Sequence, residues 1–359
     1  MDKERILFVD LGSDYGGVET YLRRLCSMLS PYCEGFALLS LPKLAEQLRA
    51  QGVRVVCIPL LGPRWLKGLR LLLSFVIVPY MLLRYRVRTV QVNGFFESLL
   101  LGPLRLAGCK AIFTMHIPFE TDLYSWFRNP ERYFPRLLSK LSLRFASRVV
   151  CVSETIGDIA RTILPREKVT VIANWVETPA VVDFSLAKTQ RPKLLFVGRL
   201  EQYKGAQFIL EAMQQIPEAS LLVVGDGSYR PQLEQWANQL DVEFAGFQND
   251  PAPFYEQSTV FINPSMGPEG LPLVSLEAMA HGVPCLFSDL PVHREISLDG
   301  NAAALFQCGN SDDLAHQLKA LLANSSVREQ YSRAARQLVE NKYSAKAAAG
   351  RYVQAFGLS

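Results

Sequence analysis

The chain has 359 residues, of which 49% are hydrophobic and 20% charged. This is the composition of a folded protein of about two domains rather than of a disordered chain. The formal net charge is +4, but basic residues outnumber acidic ones in residues 1–183 and the reverse holds in residues 184–359. The first half is therefore expected to meet something anionic, and charge alone leaves nucleic acid and a membrane surface both open.

The N-terminus, MDKERILFVD, carries acidic residues where a secretory leader would be basic, so no cleavable leader is expected. Seven cysteines are scattered along the chain without a CxxC pair. This pattern is typical of reduced thiols in a cytosolic protein, and it excludes the usual zinc motifs. The four histidines are too dispersed to form a ligand cluster by spacing alone.

Short apolar runs alternate with helical stretches along the whole chain. Most of these runs are continuous, as expected for parallel strands that are covered by helices on both faces. The alternation predicts doubly wound α/β sheets. The predicted strands are residues 5–10, 36–40, 53–59, 89–93, 111–115, 148–152, 169–173, 193–198, 220–225, 242–246, 260–264, 283–287 and 303–306.

The alternation breaks over residues 178–192, TPAVVDFSLAKTQRP, which we interpret as an interdomain linker. We predict one Rossmann-like domain over residues 1–182 and a second over residues 183–342. Residues 343–359 contain an amphipathic helix that is expected to pack back on the N-terminal domain. Ligands bind at the carboxyl ends of the strands in such sheets, so two facing sheets would form a cleft.

One segment of the first half combines apolar and basic residues. RWLKGLRLLLSFVIVPYMLLRYRVR, residues 64–88, contains thirteen uncharged residues between six basic ones. Thirteen residues fall short of the roughly 20 that span a bilayer, and Pro79 interrupts the run. Two interpretations stay open: a buried helix that leads into the next strand, or a helix whose basic edge touches a membrane.

The segment GPEGLPLVSLEAMAHGVPCL, residues 267–286, predicts a helix that follows a loop. Pro272 suits the first turn of this helix, and Gly282 suits its end. Unpaired N–H groups and the positive end of the helix dipole collect at a helix N-terminus, where they favour a phosphate. The amides in question belong to Gly270, Leu271 and Leu273.

Two glutamates flank this helix end. Glu269 precedes it, and Glu277 lies about 7–8 Å beyond Pro272 along the axis. Carboxylates accept hydrogen bonds from sugar hydroxyls and repel phosphate. Glu269, the phosphate-binding amides and Glu277 therefore follow one another in an order that matches a nucleotide sugar. Such a ligand carries hydroxyls on both sides of a diphosphate. The alternative is a pair of ordinary glutamates on a solvated helix.

A second motif, FVGRLEQYKG, adds two cations. Arg199 follows a predicted strand and Gly198, and Lys204 comes before the next helix. Both cations would lie at the carboxyl end of a strand, where a ligand is expected. Fixed cations there would stabilise the negative charge of a departing diphosphate. The alternative is a solvated loop.

Six segments carry a resemblance to a known family. They are FVGRLEQYKG (196–205), GDG (225–227), PEGLPLVSLEAMAHG (268–282), GGVETYLRRL (16–25), VSETI (152–156) and NWVE (174–177). Together they resemble the retaining glycosyltransferases of family 4, which have the GT-B fold of two facing Rossmann-like domains. The C-terminal segments are specific, and the N-terminal match is looser. Trp175 departs from the family, which often has NGVD where this chain has NWVE.

The resemblance implies a role for each matched residue. Arg199 and Lys204 would bind the donor diphosphate, Glu277 the ribose and Glu269 the transferred sugar. Gly16 and Gly17 would approach the donor, His116 would lie near the transferred sugar, and the turns at Gly227 and Phe247 would lie beside the nucleotide. The predicted catalytic residues are Arg199, Lys204, Glu269 and His116. The predicted donor-binding residues are Gly16, Gly17, Gly198, Gly227, Phe247, Gly270, Leu271, Leu273 and Glu277.

The resemblance also implies the reaction, a hexose transfer from a UDP- or GDP-sugar to a hydroxyl with retention at the anomeric carbon. The chain has no D-x-D motif, so neither a metal nor another cofactor is expected. The basic first half and the run LYSWFRNPERYFPRLL (123–138) suggest a lipid-linked or oligosaccharide acceptor and an anionic membrane surface as partners. That run also fits an ordinary amphipathic helix pair.

We therefore expect a cytoplasmic protein, at the inner face of the membrane if it is peripheral, that does not bind nucleic acid. A nucleotide-sugar epimerase and a non-catalytic sugar-nucleotide-binding partner remain as alternatives. A nicotinamide oxidoreductase is disfavoured because DLGSDYGG lacks the G-x-G-x-x-G spacing.

Overall fold

The computed structural model describes residues 3–12, 16–58, 65–118, 137–180 and 191–358. The chain divides into two compact units, Met1–Asn174 together with Ala348–Ser359, and Trp175–Ala347. The sequence prediction set the boundary at 182–183, whereas this division falls at 174–175. Residues 181–190 of the predicted linker lie outside the described residues.

A seven-stranded parallel sheet forms the centre of the first unit. Its strand order is β3-β2-β1-β4-β5-β6-β7. The order reverses beside β1, which makes the carboxyl ends of β1 and β4 the switch point of a doubly wound sheet. The strands are β1 (Glu4–Asp10), β2 (Cys33–Leu39), β3 (Arg54–Cys57), β4 (Thr89–Asn93), β5 (Lys110–Met115), β6 (Arg148–Cys151) and β7 (Val169–Val171).

Helices of the first unit follow the strands, and, apart from the helix over residues 65–85, they bury apolar residues against the rest of the unit. In α1, for example, Tyr21, Leu22, Leu25 and Leu29 recur at helical spacing and are buried. The described helices of residues 3–174 are α1 (Gly17–Leu29), α2 (Pro42–Ala50), α3 (Trp65–Tyr85), α4 (Leu101–Leu106) and α5 (Glu154–Arg161), and residues 137–142 are also helical.

The second unit has a six-stranded parallel sheet with the corresponding order, β10-β9-β8-β11-β12-β13. Five of its strands are largely buried apolar runs, whereas the edge strand over residues 242–246 is only partly buried. The strands are β8 (Lys193–Val197), β9 (Ser220–Val224), β10 (Val242–Gly246), β11 (Val260–Asn263), β12 (Cys285–Ser288) and β13 (Ala304–Phe306).

Side chains cap two helices of the second unit. Asn310 accepts hydrogen bonds from the backbone N–H groups of Asp312 and Asp313, and Asn324 accepts one from Val327. The helices are α6 (Ala206–Met213), α7 (Arg230–Trp236), α8 (Ala252–Glu256), α9 (Leu273–Ala280), α10 (Pro291–Ser297), α11 (Ser311–Ala323) and α12 (Ser325–Lys342).

The last helix, α13 (Ala345–Phe356), starts in the second unit, and from Ala348 onward it belongs to the first. Tyr352 of this helix is fully buried, and its ring centroid lies 6.2 Å from that of Tyr21 in α1. The two parallel sheets confirm the predicted fold class. Each predicted strand corresponds to one strand of the structure, with ends that differ by a few residues.

Helix α3 differs from its prediction in two ways. It is 21 residues long and continues through Pro79, so the proline does not end it. Its apolar residues also lie largely at the surface, which contradicts the interpretation as a buried helix. Among the described residues, the window Gly68–Tyr85 is the one stretch long and apolar enough to cross a membrane by length and composition, and 22% of it is buried.

Candidate active site

Backbone hydrogen bonds join the loops at the carboxyl edge of the second sheet. The N–H of Gly198, after β8, donates to the carbonyl of Val224 at 2.9 Å, and the N–H of Gly225 donates to that of Gly246 at 2.8 Å. Gly225 has φ +138°, and a Cβ there would collide with the carbonyl oxygen of Gly198. Only glycine fits this position, so the GDG turn holds the loops after β8, β9 and β10 together.

Two predicted donor-binding residues lie on these loops. Gly227 packs so closely against the backbone of Leu200 that a side chain would meet main-chain atoms. Phe247 follows β10 directly, and 53% of it is exposed. An exposed aromatic ring at the carboxyl edge offers a flat face on which a nucleotide base could stack. The structure thus brings Gly198, Gly227 and Phe247 to one edge of the sheet.

Lys204 and Glu269 form an ion pair at the same edge. The Lys204 Nζ lies 2.6 Å from Glu269 Oε1, and their side chains are 19% and 9% exposed. Such low exposure excludes the alternative of an ordinary solvated glutamate at position 269. Two residues separated by 65 positions therefore meet in one charged group.

The charge of Glu269 depends on its partner. Burial raises the pKa of this carboxyl, but the Lys204 ammonium at hydrogen-bond distance, helped by a hydrogen bond from Ser265, outweighs burial and holds the pKa below its ordinary value. Glu269 is therefore a carboxylate at neutral pH and can accept hydrogen bonds from hydroxyl groups. The Lys204 Nζ donates one hydrogen bond to Glu269, and an ammonium group has two further donors.

Arg199 lies in a different environment from Lys204. Its side chain is exposed, and its Nη2 donates a hydrogen bond of 2.5 Å to the hydroxyl of Tyr203. The Tyr203 ring also lies 5.4 Å from the Lys204 Nζ, within cation–π range. Tyr203 therefore contacts both predicted catalytic cations. The sequence gives no sign of this role, because a tyrosine in the loop between Arg199 and Lys204 carries no signal of its own.

Helix α9 starts one residue later than predicted. Pro272 has φ −70° and ψ 112°, so it is the extended residue before the helix and not part of its first turn. Leu271 and Leu273 bury their side chains. Only their backbone atoms, with those of Gly270, could serve a ligand. The first N–H groups of α9 have no partner within the helix, as at any helix N-terminus, and the dipole favours an anion there.

Glu277 lies in the second turn of α9 and is partly buried. Its Oε2 accepts a hydrogen bond of 3.2 Å from the hydroxyl of Tyr255, which also donates to the carbonyl of Val274. Tyr255 is 1% exposed and stacks on His281 at 5.3 Å between ring centroids. The buried Tyr255 therefore supplies a fixed hydrogen-bond donor to the Glu277 carboxylate. Tyr255 is a second site residue that the sequence analysis missed.

His293 in α10 lies behind the Lys204–Glu269 pair and is fully buried. Its Nδ1 lies 2.9 Å from the carbonyl of Ser288, and its Nε2 has no hydrogen-bond partner among the described residues. Burial lowers its pKa to about 4, although the Glu269 charge opposes this, so the ring is neutral at neutral pH. His293 follows a strand in sequence, as His116 does, and that signal could have found it.

Three predicted residues belong to the first unit. Gly16 and Gly17 form the start of α1, and the Gly16 N–H donates to Glu19 Oε2 at 2.7 Å. His116 follows β5, packs edge-on against Tyr21 at 4.6 Å, and has its Nε2 3.4 Å from the Asn93 Oδ1. The other predicted residues belong to the second unit. Residues 13–15, before Gly16, lie outside the described residues.

Burial lowers the pKa of His116 to about 3. The imidazole is therefore neutral at physiological pH and offers either an N–H donor or a lone pair, but not a positive charge. A neutral ring can donate or accept a hydrogen bond with a hydroxyl group of a ligand. It does not repel positive charge that develops on that ligand.

Two buried carboxyl groups occupy the switch point of the first sheet. The Glu97 Oε1 accepts a hydrogen bond of 3.2 Å from the backbone N–H of Leu11, and the Asp10 Oδ1 accepts one of 2.9 Å from that of Gly12. Burial raises the pKa of both, and the nearby Asp10 helps to raise that of Glu97 to about 8. The sequence alone does not reveal this pair, because Asp10 and Glu97 lie far apart along the chain.

Among the described residues, no group of three or more His, Cys, Asp or Glu side chains converges in a way that could hold a metal ion. All seven cysteines have free thiols.

Comparison with protein-family models identifies the class. A model described as Glycosyltransferase Family 4 matches residues 15–179, and one described as Glycosyl transferases group 1 matches residues 191–324. Together they span most of the chain and confirm the resemblance. The chain belongs to glycosyltransferase family 4.

Curated relatives agree with this assignment. The chain is 27% identical over 214 residues, 57% of its length, to the lipopolysaccharide core biosynthesis glycosyltransferase LpsE of Rhizobium meliloti. It is 35% identical over 147 residues, 38% of its length, to the phosphatidyl-myo-inositol mannosyltransferase of Mycobacterium leprae. The matches span 63% and 39% of those two relatives.

Solved structures agree in fold over nearly the whole chain. The HepE protein of Anabaena in complex with UDP and glucose is 17% identical, with a TM-score of 0.81 over 99% of each chain. Sucrose-phosphate synthase of Thermosynechococcus elongatus is 20% identical, with a TM-score of 0.84 over 99% of this chain and 98% of the other. The chain has the GT-B fold with two Rossmann-like domains.

Proposed function

We propose that the chain is a retaining glycosyltransferase that moves a hexose from a UDP- or GDP-sugar to a hydroxyl acceptor. The observation that carries this proposal is the Lys204–Glu269 ion pair beside the N-terminus of α9. It offers a cation and backbone amides for a diphosphate next to a carboxylate for sugar hydroxyls. HepE, which has the same fold, binds UDP and glucose.

In the proposed reaction the bond between the anomeric carbon and the phosphate oxygen breaks, and a bond from that carbon to the acceptor oxygen forms on the same face. The departing diphosphate takes the acceptor proton. Arg199, Lys204 and the helix end stabilise the charge on the diphosphate, so the proposal includes no metal. Glu269 binds the transferred sugar, Glu277 binds the ribose and Phe247 lies beside the base.

For His116 we propose hydrogen bonding to the transferred sugar. The neutral ring fits this role, because an imidazolium would oppose the positive charge that develops on the sugar. For Gly16 and Gly17 we propose that the donor comes close to the backbone, because glycine has no side chain that would block it.

The acceptor is proposed to be a lipid-linked sugar or a growing polysaccharide in the cytoplasm. Two relatives support this class of acceptor, since one is named for lipopolysaccharide core biosynthesis and the other for a phosphatidyl-inositol mannosyl transfer. The aromatic segment 123–138, which suggested such an acceptor, falls largely outside the described residues, which resume at 137.

Thermal shift with a panel of UDP- and GDP-sugars tests donor binding first. We expect one nucleotide series to raise the melting temperature, by an amount that grows with concentration. The Glu277→Gln variant alters the residue proposed to bind the ribose, so its melting temperature should rise less with the same nucleotide sugar. No shift with any nucleotide sugar would overturn the proposal.

Turnover of the best donor then separates the alternatives. Transfer to an added acceptor supports the proposal. Conversion of the donor sugar without an acceptor would identify an epimerase. Binding without any turnover in the presence of candidate acceptors would identify a non-catalytic sugar-nucleotide-binding protein.

A further inference from the structure

Helix α3 of the first unit exposes apolar residues along one face. Leu72 is 65% exposed, Val76 71%, Tyr80 59% and Leu83 83%. These residues recur every three or four positions, so they line one side of the helix. We call them, with the partly exposed Leu69 and Phe75, the apolar stripe. A surface helix of a soluble domain ordinarily turns such a face inward.

The opposite face of α3 is more polar and is buried. Arg70 is 1% exposed and its Nη1 donates to the carbonyl of Leu11 at 3.3 Å. Ser74 is fully buried and donates to the carbonyl of Leu71, and Val78 and Met81 are buried beside it. The polarity of α3 is thus inverted, with a buried arginine inside and leucines outside.

This buried face restricts how the helix could meet lipid. A spanning helix is surrounded by hydrocarbon or by other spanning segments, and burying Arg70 there would be costly. Here Arg70 is bonded to the loop after β1, and the same face packs into the first unit. Only the apolar stripe is open to a bilayer, so the helix would lie in the plane of the interface.

The charge around the stripe identifies the kind of surface. No acidic residue occurs between Glu46 and Glu97 in the sequence. Exposed arginines at positions 84, 86 and 88 follow the stripe directly. A basic cluster next to an apolar face is complementary to anionic lipid headgroups, which attract each such residue. Two copies of α3 packed stripe to stripe would instead bring basic residues together with no acidic partner on either helix.

We infer that the apolar stripe and Arg84, Arg86 and Arg88 form a docking surface for an anionic lipid bilayer. The leucines enter the boundary between headgroups and acyl chains, Tyr80 lies at the headgroup level, and the arginines bind lipid phosphates. Docking does not depend on the proposed transfer reaction, since it uses none of the candidate site residues. It would hold the first unit at the surface where a lipid-linked acceptor is presented.

Flotation of the full-length chain with vesicles tests this inference. One set contains phosphatidylcholine alone, and the other contains phosphatidylglycerol in phosphatidylcholine. We expect binding to the anionic vesicles only, weakened by about 0.5 M salt because charge attraction is screened. The variant Leu72→Asn/Val76→Asn/Leu83→Asn should lower the partition coefficient at least about 100-fold. The variant Arg84→Gln/Arg88→Gln should lower it about 30-fold.

Control variants carry substitutions of the same kind away from the docking surface. Leu298→Asn removes an exposed leucine of the second unit, and Arg105→Gln/Arg351→Gln removes two exposed arginines of the first unit. Both should bind anionic vesicles like the parent. The melting temperature of every variant, with and without a nucleotide sugar, reports whether folding and donor binding persist. Failure of docking is thereby distinguished from failure of the proposed function.

Four outcomes would overturn the inference. They are equal binding to neutral and anionic vesicles, equal losses in the control variants, membrane extraction that requires detergent, and a dimer in lipid-free solution that the stripe variant dissociates. The third would show a spanning helix, and the last would show that a second copy covers the stripe.

Discussion

Replacing Lys204 by methionine should impair stability and catalysis together. Its Nζ lies 2.6 Å from a Glu269 carboxylate that is 9% exposed. Removing the ammonium leaves that carboxylate buried without its counter-charge, which costs about 3 kcal/mol of unfolding free energy. Turnover should fall at least ~10²-fold, because the cation also stabilises the departing diphosphate. The loop position of both cations in the sequence would by itself predict that folding persists.

The pH dependence of this loss follows from the Glu269 pKa. In the parent chain the pKa of Glu269 in the folded state is below its value in the unfolded state. The ion pair therefore stabilises the fold fully at pH values above the unfolded-state pKa. This stabilisation is lost as the pH falls through the folded-state pKa. Without Lys204, burial dominates and raises the folded pKa. The carboxyl then destabilises the fold increasingly as pH rises above about 4.3. The stability loss should therefore be larger at pH 8 than at pH 5.

Urea denaturation at pH 5 and pH 8, followed by tryptophan fluorescence, measures the effect. Arg199→Met is the matched control, because it removes a cation of the same motif that is exposed. It should lose turnover but keep the parent's stability at both pH values. The double variant Lys204→Met/Glu269→Gln should recover stability without recovering turnover. A Lys204→Met chain as stable as the parent at pH 8 would refute the reasoning.

Three further predictions follow from the site. Glu277→Gln should weaken binding of the nucleotide diphosphate alone, whereas Glu269→Gln should weaken only the full nucleotide sugar; equal losses by calorimetry would contradict the placement of Glu269. Saturating EDTA should leave the transfer rate within about twofold, because cations and a helix end neutralise the diphosphate; activity restored by Mg²⁺ would refute this. The pKa of Glu97 is raised from 4.5 to about 8, so its contribution to stability falls as pH rises through that window. Glu97→Gln should therefore raise the melting temperature more at pH 8 than at pH 5. The same change in melting temperature at both pH values would contradict this prediction.

The sequence by itself determined the two sheets and the motifs at their edges. Buried parallel strands must be continuous apolar runs, and helices must separate them, so the strand positions could be predicted before the structure was known. Motifs such as GRLEQYKG and PEGLPLVSLEAMAHG lie directly after strands. Their residues therefore had to reach the carboxyl edge of the second sheet.

Only the tertiary structure decided which side chains meet. Lys204 pairs with Glu269 across 65 residues, and Tyr255 bonds Glu277 across 22, and neither spacing repeats a pattern that a sequence can show. Helix α3 shows the same limit. Nearly every position of its central run is apolar, so the periodicity does not tell which face turns inward. The inward face is set by the loop after β1, whose Leu11 carbonyl binds Arg70 from 59 residues away, and this contact leaves the leucines at the surface.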